Sequence, residues 1–372
     1  MIQITNKNKC CGCSACVQVC PKQCITFNED NHGFRYPKVN KEDCINCGLC
    51  EKVCPFCNSF KKSDVLAAQA TINPSEDIRL KSSSGGIFSM LAEYVINQGG
   101  VVFGARFNEK WEVIHDYTEN LEGIDAFRGS KYVQSIIGDS YNDTKHYLNQ
   151  GRLVLFSGTP CQISGLTKFL RKDYENLITV EVACHGVPSP LIWREYIKQI
   201  AGRKRIQSIS FRDKSTGYRT YSTNYTIAGK SYKKYYKRDD FMVGFINNLY
   251  LRPSCFNCPS KGDYSCADLT IADYWGATER QYEEGGSLVL SRSQKGKDIL
   301  HQIKASLSSV DYVYAIKMNP CLAFSTKETN LYSKFWNSYD EQGIAVLSEY
   351  TRKLKPTFID MIKMYIHKKL NI

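Results

Sequence analysis

The chain has no apolar run of the ~20 residues that a membrane helix requires. Its N-terminus, Met1-Ile2-Gln3-Ile4-Thr5-Asn6-Lys7, lacks the apolar core of a signal peptide and sets the expectation of a cytoplasmic protein. Neither G-x-G-x-x-G nor a P-loop lysine motif is present, so the standard dinucleotide and nucleoside-triphosphate cradles are not indicated. There is no low-complexity tract, and no recognised nucleic-acid-binding module accompanies the formal net charge of +12. That charge reads as a solvated surface or as a match for an acidic partner: a small ferredoxin, a phosphorylated cofactor or an anionic membrane face.

Cysteine is what the chain has in excess. Seventeen cysteines, an odd number, with no secretion signal argue against a disulfide framework. Eleven of them fall between Cys10 and Cys57, a density that points to metal ligation. Cys10, Cys13, Cys16 and Cys20-Pro21 spell C-x2-C-x2-C-x3-C-P, and Cys44, Cys47, Cys50 and Cys54-Pro55 repeat it unchanged. Three thiolates in one tight loop cap three irons of a cubane, and the fourth reaches the other cluster. The expected ligand sets are Cys10, Cys13, Cys16 and Cys54 for cluster one, and Cys44, Cys47, Cys50 and Cys20 for cluster two. A zinc site would want cysteine pairs rather than two full quartets. Cys11, Cys24 and Cys57 stand outside the pattern as free buried thiols.

The 372 residues suggest two to three domains. The reading is a small dicluster ferredoxin-like domain (1–60), a linker (61–80), a larger mixed α/β body (81–332) and a basic helical tail (333–372). Ile87, Leu91 and Val95 recur at helical spacing and stop at Gly99-Gly100. Val101 to Phe103, Leu153 to Phe156, Leu177 to Ala183, Leu269 to Ala272 and Leu288 to Leu290 read as buried strands. Residues 206–236 read as β-rich, with a turn at Ala228-Gly229. Cys161 and Cys184 each lie just past a strand's carboxyl end, the edge where open α/β sheets bind ligands. With Cys255-x2-Cys258 they make a candidate third four-iron site. Cys266 competes with Cys184, zinc is the alternative metal, and buried small hydrophobes the alternative role for Cys161 and Cys184. Ser82-Ser83-Ser84-Gly85-Gly86 before a helix is a candidate phosphate cradle or a plain cap. In the tail, Arg352, Lys353, Lys355, Lys363, Lys368 and Lys369 are opposed only by Asp360, beside an apolar stripe of Phe358, Ile359, Ile362 and Ile366. A helix packed on the body is the first reading there, and membrane-surface contact the second.

Seven motifs occur in order: Lys81 to Gly86, Arg128 to Ser135, Phe156 to Gln162, Cys184 to Pro190, Phe211 to Lys214, Arg252 to Cys258 and Asp268 to Gly276. Together they resemble the beta-subunit family of coenzyme F-420 hydrogenases and dehydrogenases, from about Cys10 to about Leu307. The resemblance implies a flavoprotein with FAD beside an iron–sulfur cluster, acting on coenzyme F-420 or another two-electron acceptor. Members with a fused ferredoxin segment resemble proteins found among surface-polysaccharide genes. It implies FAD phosphates held by Ser83, Ser84, Gly85 and Gly86, and a flavin pocket lined by Ser130, Lys131, Gly158, Thr159, Pro160, Cys161 and Gln162. Lys131 or Arg212 would stabilise a reduced, anionic flavin, with a surface or ion-pair role as the alternative. His185 reads first as a hydrogen-bonded loop histidine and second as a proton-transfer group. Asp273 faces the site or caps a turn. The expected function is an iron–sulfur flavin oxidoreductase exchanging electrons with a ferredoxin or a hydrogenase or dehydrogenase subunit. The alternatives are an electron-transfer subunit without its own substrate and a cysteine hydrolase using Cys161 or Cys184 with His185.

Overall fold

The structure, a computed structural model, describes residues 1–58 and 60–357. Its strands are β1 (Ile25–Glu29), β2 (Arg35–Val39), β3 (Ala67–Thr71), β4 (Val101–Phe107), β5 (Val113–Thr118), β6 (Val154–Gly158), β7 (Leu177–Val182), β8 (Ile206–Asp213), β9 (Ser222–Ile227), β10 (Lys230–Tyr235), β11 (Leu269–Asp273), β12 (Ser287–Ser291) and β13 (Ser308–Ser309). Eight of them form one mixed sheet in the order β13-β3-β12-β11-β7-β6-β4-β5. The central strands β4, β6, β7 and β11 run parallel, and antiparallel strands close both flanks.

Strand residues alternate between the two faces of this sheet. Val102, Leu155, Ile178 and Val180 pack against Ile87, Leu91 and Val95 of helix Ile87–Asn97. Val101, Phe103, Val154, Phe156 and Leu177 pack against Ile163, Leu166 and Phe169 of helix Pro160–Leu170. Burial on both faces is why β6 reads as an unbroken apolar run. A second core joins the antiparallel sheet β8–β9–β10 to helices Pro190–Ala201, Tyr332–Gln342 and Ala345–Leu354.

Two boundaries differ from the sequence reading. The stretch 61–80 is not a free connector: β3 pairs with β12 on one side and β13 on the other. Its alanine-rich sequence carries little strand signal, and the pairing comes from its neighbours. The first part of the tail belongs to the body, because Phe335, Trp336, Tyr339, Val346 and Leu347 are buried in the second core. The apolar stripe from Phe358 to Ile366 and Lys363, Lys368 and Lys369 lie outside the described residues. Among the described residues no helix is long and apolar enough to cross a membrane.

Residues 1–58 carry the β1–β2 hairpin and two one-turn helices, Ala15–Gln18 and Leu49–Lys52. The duplicated cysteine runs share a duplicated backbone. Gly12 and Ser14 have φ of +70° and +65°, and their counterparts Asn46 and Gly48 have +53° and +73°. These left-handed residues curl each loop tightly enough to aim its cysteines inward.

Candidate functional site

Cys10, Cys13 and Cys16 are buried in the first loop. Burial raises the Cys16 thiol, and the charges of Cys10, Cys54 and Cys50 raise it further. Cys54 thus approaches the first loop from the second one, and burial pushes it up to about 11. Cys20, Cys44, Cys47 and Cys50 line a separate cavity of about 360 Å³, together with Cys24. The Ile2 N–H donates to Cys50 Sγ at 3.4 Å. Among the described residues no three Cys, His, Asp or Glu side chains form a ready site for a single metal ion. A cubane asks for a wider spacing, since each thiolate takes its own corner iron. An all-thiol donor set, buried and mutually repelling when ionised, fits such a group.

The body's cysteines come from three places. Cys161 lies in the first turn of helix Pro160–Leu170, after β6, Cys184 lies just past β7, and Cys255 and Cys258 lie in and just after the turn Pro253–Asn257. Because β6 and β7 are parallel neighbours, Cys161 and Cys184 share one sheet edge. Burial drives the Cys184 thiol far up, Lys261 pulls it back, and Cys255, Cys161 and Cys258 push it higher. Burial likewise lifts Cys255 to about 11, with Cys161 adding to it. The four thiols therefore sit within electrostatic reach of one another. Val187 N–H donates to Cys255 Sγ at 3.3 Å, and Thr159 Oγ1 lies 3.3 Å from Cys161 Sγ. Cys266 is elsewhere: it precedes β11, at the opposite edge, and contacts Ser164 and Thr167.

The ferredoxin segment and the body meet beside these thiols. Cys11 hydrogen-bonds to both Cys13 and Cys161, so it is a bridging thiol rather than an isolated one. Arg252, fully buried, donates through Nε to the Cys10 carbonyl at 2.7 Å and through Nη2 to the Arg35 carbonyl at 2.9 Å. Its Nη1 reaches Gln134 Oε1 at 3.0 Å, and Gln134 Nε2 donates to the Cys11 carbonyl at 3.0 Å. Gly165 faces Cys13 so closely that a Cβ there would lie 2.9 Å from its sulfur.

The residues expected around a flavin divide into two groups. Ser83 Oγ accepts from Ser130 N–H at 2.7 Å, and the Ser83 carbonyl accepts from Arg212 Nη2 at 3.0 Å. Arg212 pairs with Asp273 at 2.8 Å, Tyr218 donates to the same carboxylate at 2.8 Å, and the Tyr218 ring stacks on Trp275. Arg212 Nε is buried with no partner among the described residues. This corner, with aromatic faces and a spare cationic N–H, fits a planar anionic ring. Ser84 and Gly85 fit a phosphate less well, since Ser84 Oγ donates to the Gly286 carbonyl at 2.6 Å and Gly85 N–H to Ser287 Oγ at 3.0 Å. Gly86 caps helix Ile87–Asn97 with φ +86°. Lys131 is half-buried, its Nζ donates to the Ala126 and Arg128 carbonyls at 2.8 Å, and burial pushes it down to about 7. The Gly158 to Gln162 stretch lies on the other side, at the body thiols. There Gln162 and Thr159 form a capping box, and Gln162 Nε2 donates to Ser135 Oγ at 2.7 Å. His185 is tied to Asn248 at 2.6 Å and to Thr326, and burial lowers it.

Sequence reading missed Lys261, Tyr218 and Cys321. The only signal for Lys261 is its place three residues after Cys258. Cys321 lies far along the chain, yet its thiol feels both Lys261 and Asp273.

Residues 151–310 match the family described as the C terminus of the coenzyme F420 hydrogenase/dehydrogenase beta subunit. Residues 9–58 match a 4Fe-4S dicluster domain. The chain joins a dicluster domain to a beta-subunit domain of that family. The beta-subunit domain holds Cys161, Cys184, Cys255 and Cys258, and the dicluster domain holds both N-terminal quartets. The whole chain is 21% identical over 373 residues to the coenzyme F420-dependent sulfite reductase of Methanocaldococcus jannaschii, covering 92% of this chain and 54% of that protein. The chain thus spans about half the length of that relative. A solved structure of the F420-reducing [NiFe] hydrogenase complex from Methanosarcina barkeri overlaps it at TM-score 0.49 and 15% identity, over 76% of this chain and 93% of the other.

Proposed function

We propose that this chain is an iron–sulfur oxidoreductase with three four-iron sites in series and a flavin corner beside Arg212. The observation that carries the reading is the convergence of Cys161, Cys184, Cys255 and Cys258, with Cys11 touching both Cys161 and Cys13. Bound cubanes supply one-electron transfer, and FAD, where bound, the change from one electron to two. The chain's own part is to hold and tune. Ile2, Val187 and Arg252 donate hydrogen bonds to Cys50, Cys255 and Cys10, and such donors to sulfur favour the reduced cluster. Arg212, fixed by Asp273, offers its Nε to an anionic ring, and Trp275 and Tyr218 offer stacking faces. The acceptor we propose is coenzyme F420 or another two-electron acceptor, with reduced ferredoxin as donor.

The test is anaerobic turnover of the full chain, reconstituted with iron, sulfide and FAD, using reduced ferredoxin and coenzyme F420. The reading expects acceptor reduction by the wild type. It expects loss of that reduction, with the N-terminal clusters still reducible, when Cys255 and Cys258 are both replaced by Ser. Unchanged turnover in that variant contradicts the third site, and a reconstituted chain that releases no flavin on denaturation removes FAD. A subunit without its own substrate is the second reading, favoured by the chain spanning about half of its relative. Turnover by the isolated chain excludes it.

A further inference from the structure

The body thiols have one cation among them. Lys261 is only 6% exposed, and it follows Cys258 by three residues in a loop pinned against residues 323–325. Cys258 N–H donates to Ser325 Oγ at 2.9 Å, and Lys261 Nζ donates to the Phe324 carbonyl at 3.2 Å. Gly262 turns the chain with φ +61°, and a Cβ there would lie 2.8 Å from the Ala323 carbonyl oxygen. Among the described residues Lys261 forms no ion pair, so no carboxylate at contact distance cancels its charge. Its field reaches Cys184, Cys255, Cys258 and Cys321, and it acts on each thiol in the direction that favours the thiolate. Burying an ammonium without a carboxylate is costly unless some other anion faces it. Glu181, the carboxylate that feels Lys261, is itself committed to Thr270 and Arg292.

We infer that Lys261 is the fixed counter-charge of the four-thiol site in the body, a positioning residue that sets the reduction potential of the cluster held there. This rests on reading those four thiols as cubane ligands. A cubane on four thiolates is an anion and becomes more negative when it takes up an electron. A buried cation at fixed range stabilises the reduced form more than the oxidised one, and low local dielectric strengthens the effect. The N-terminal quartets have no such buried lysine: Lys22, beside the second quartet, is exposed. The body site is thereby poised as the acceptor and the N-terminal pair as the donor, and electrons run inward.

The experiment is an anaerobic EPR redox titration of the full reconstituted chain as wild type, Lys261→Met and Lys261→Arg. The body signal is assigned by its loss in a Cys255→Ser, Cys258→Ser variant. In Lys261→Met the body potential should fall by at least about 59 mV, a tenfold change in the one-electron equilibrium. Lys261→Arg should stay within that margin, and the two N-terminal signals, an internal reference, should not move. An unchanged body potential in Lys261→Met overturns the inference while leaving the three-cluster reading intact. A wild type with no body signal fails that reading instead. If Lys261→Met loses its body cluster, retention by Lys261→Arg supports the counter-charge, and loss from both variants overturns it.

Discussion

The N-terminal quartets and the body's four thiols hold the same kind of ligand in opposite ways. In residues 10–54 the ligands are local, each loop supplying three from seven residues of chain. Little apolar surface lies between them, so bound metal provides much of what keeps that segment folded. In the body, Cys161, Cys184, Cys255 and Cys258 span nearly a hundred residues of sequence and are brought together by a buried parallel sheet. There the fold comes first and the site is carried by it. A dense motif announces a metal-dependent fold, whereas a scattered set needs a fold that stands without metal.

The sharpest way to break that contrast is to remove the iron. Chelation under reducing conditions should abolish hydrogen-exchange protection across residues 10–54 while β4, β6 and β7 keep theirs. Loss of protection in both regions would show that the body also depends on metal. Next in size, Cys255→Ser with Cys258→Ser should delete one of three EPR-active centres and leave far-UV circular dichroism unchanged. The seam between the regions should respond more mildly. Arg252→Met leaves the Cys10 and Arg35 carbonyls without their donor, at about 1–3 kcal/mol for each orphaned group, read by urea unfolding. Gly165→Ala drives a methyl toward Cys13 Sγ and should cost about 1–3 kcal/mol, with a shift in the cluster-one signal alone.

The smallest effect is a pH dependence confined to the body. Lys131 is held at about 7 by burial, below its ordinary value near 10.5. Between those values the unfolded chain binds the proton that the folded chain has released, so stability rises with pH across that window. Below about 7 the ammonium is charged in both states and the penalty is fully present. Thermal unfolding of wild type against Lys131→Met should show this rise from pH 7 to 10 in the wild type only. Parallel curves would mean that Lys131 is not desolvated.

Legibility in the sequence follows the same division. The duplicated quartets and the crossing of Cys20 and Cys54 are readable because ligand spacing is short and the loops repeat. The central strands are readable because two-sided burial leaves apolar runs. β3 is hidden, since Ala67-Ala68-Gln69-Ala70-Thr71 gains its strand state only from β12 and β13. The choice between Cys184 and Cys266 turns on which end of its strand each cysteine occupies, and strand direction is a property of topology. Cys11 looks like a spare thiol until Cys161 is placed against it, and Lys261 carries no pattern at all. The polar uses of Ser84 and Gly85 depend on β11 and β12, nearly two hundred residues away.

The central claim is that folded topology, not local motif, builds an additional cluster site next to the ferredoxin pair. Its most direct test is iron and acid-labile sulfide per chain after anaerobic reconstitution and gel filtration of the intact protein. Three cubanes require about twelve of each. A value of about eight, unchanged by Cys255→Ser with Cys258→Ser, would contradict the account.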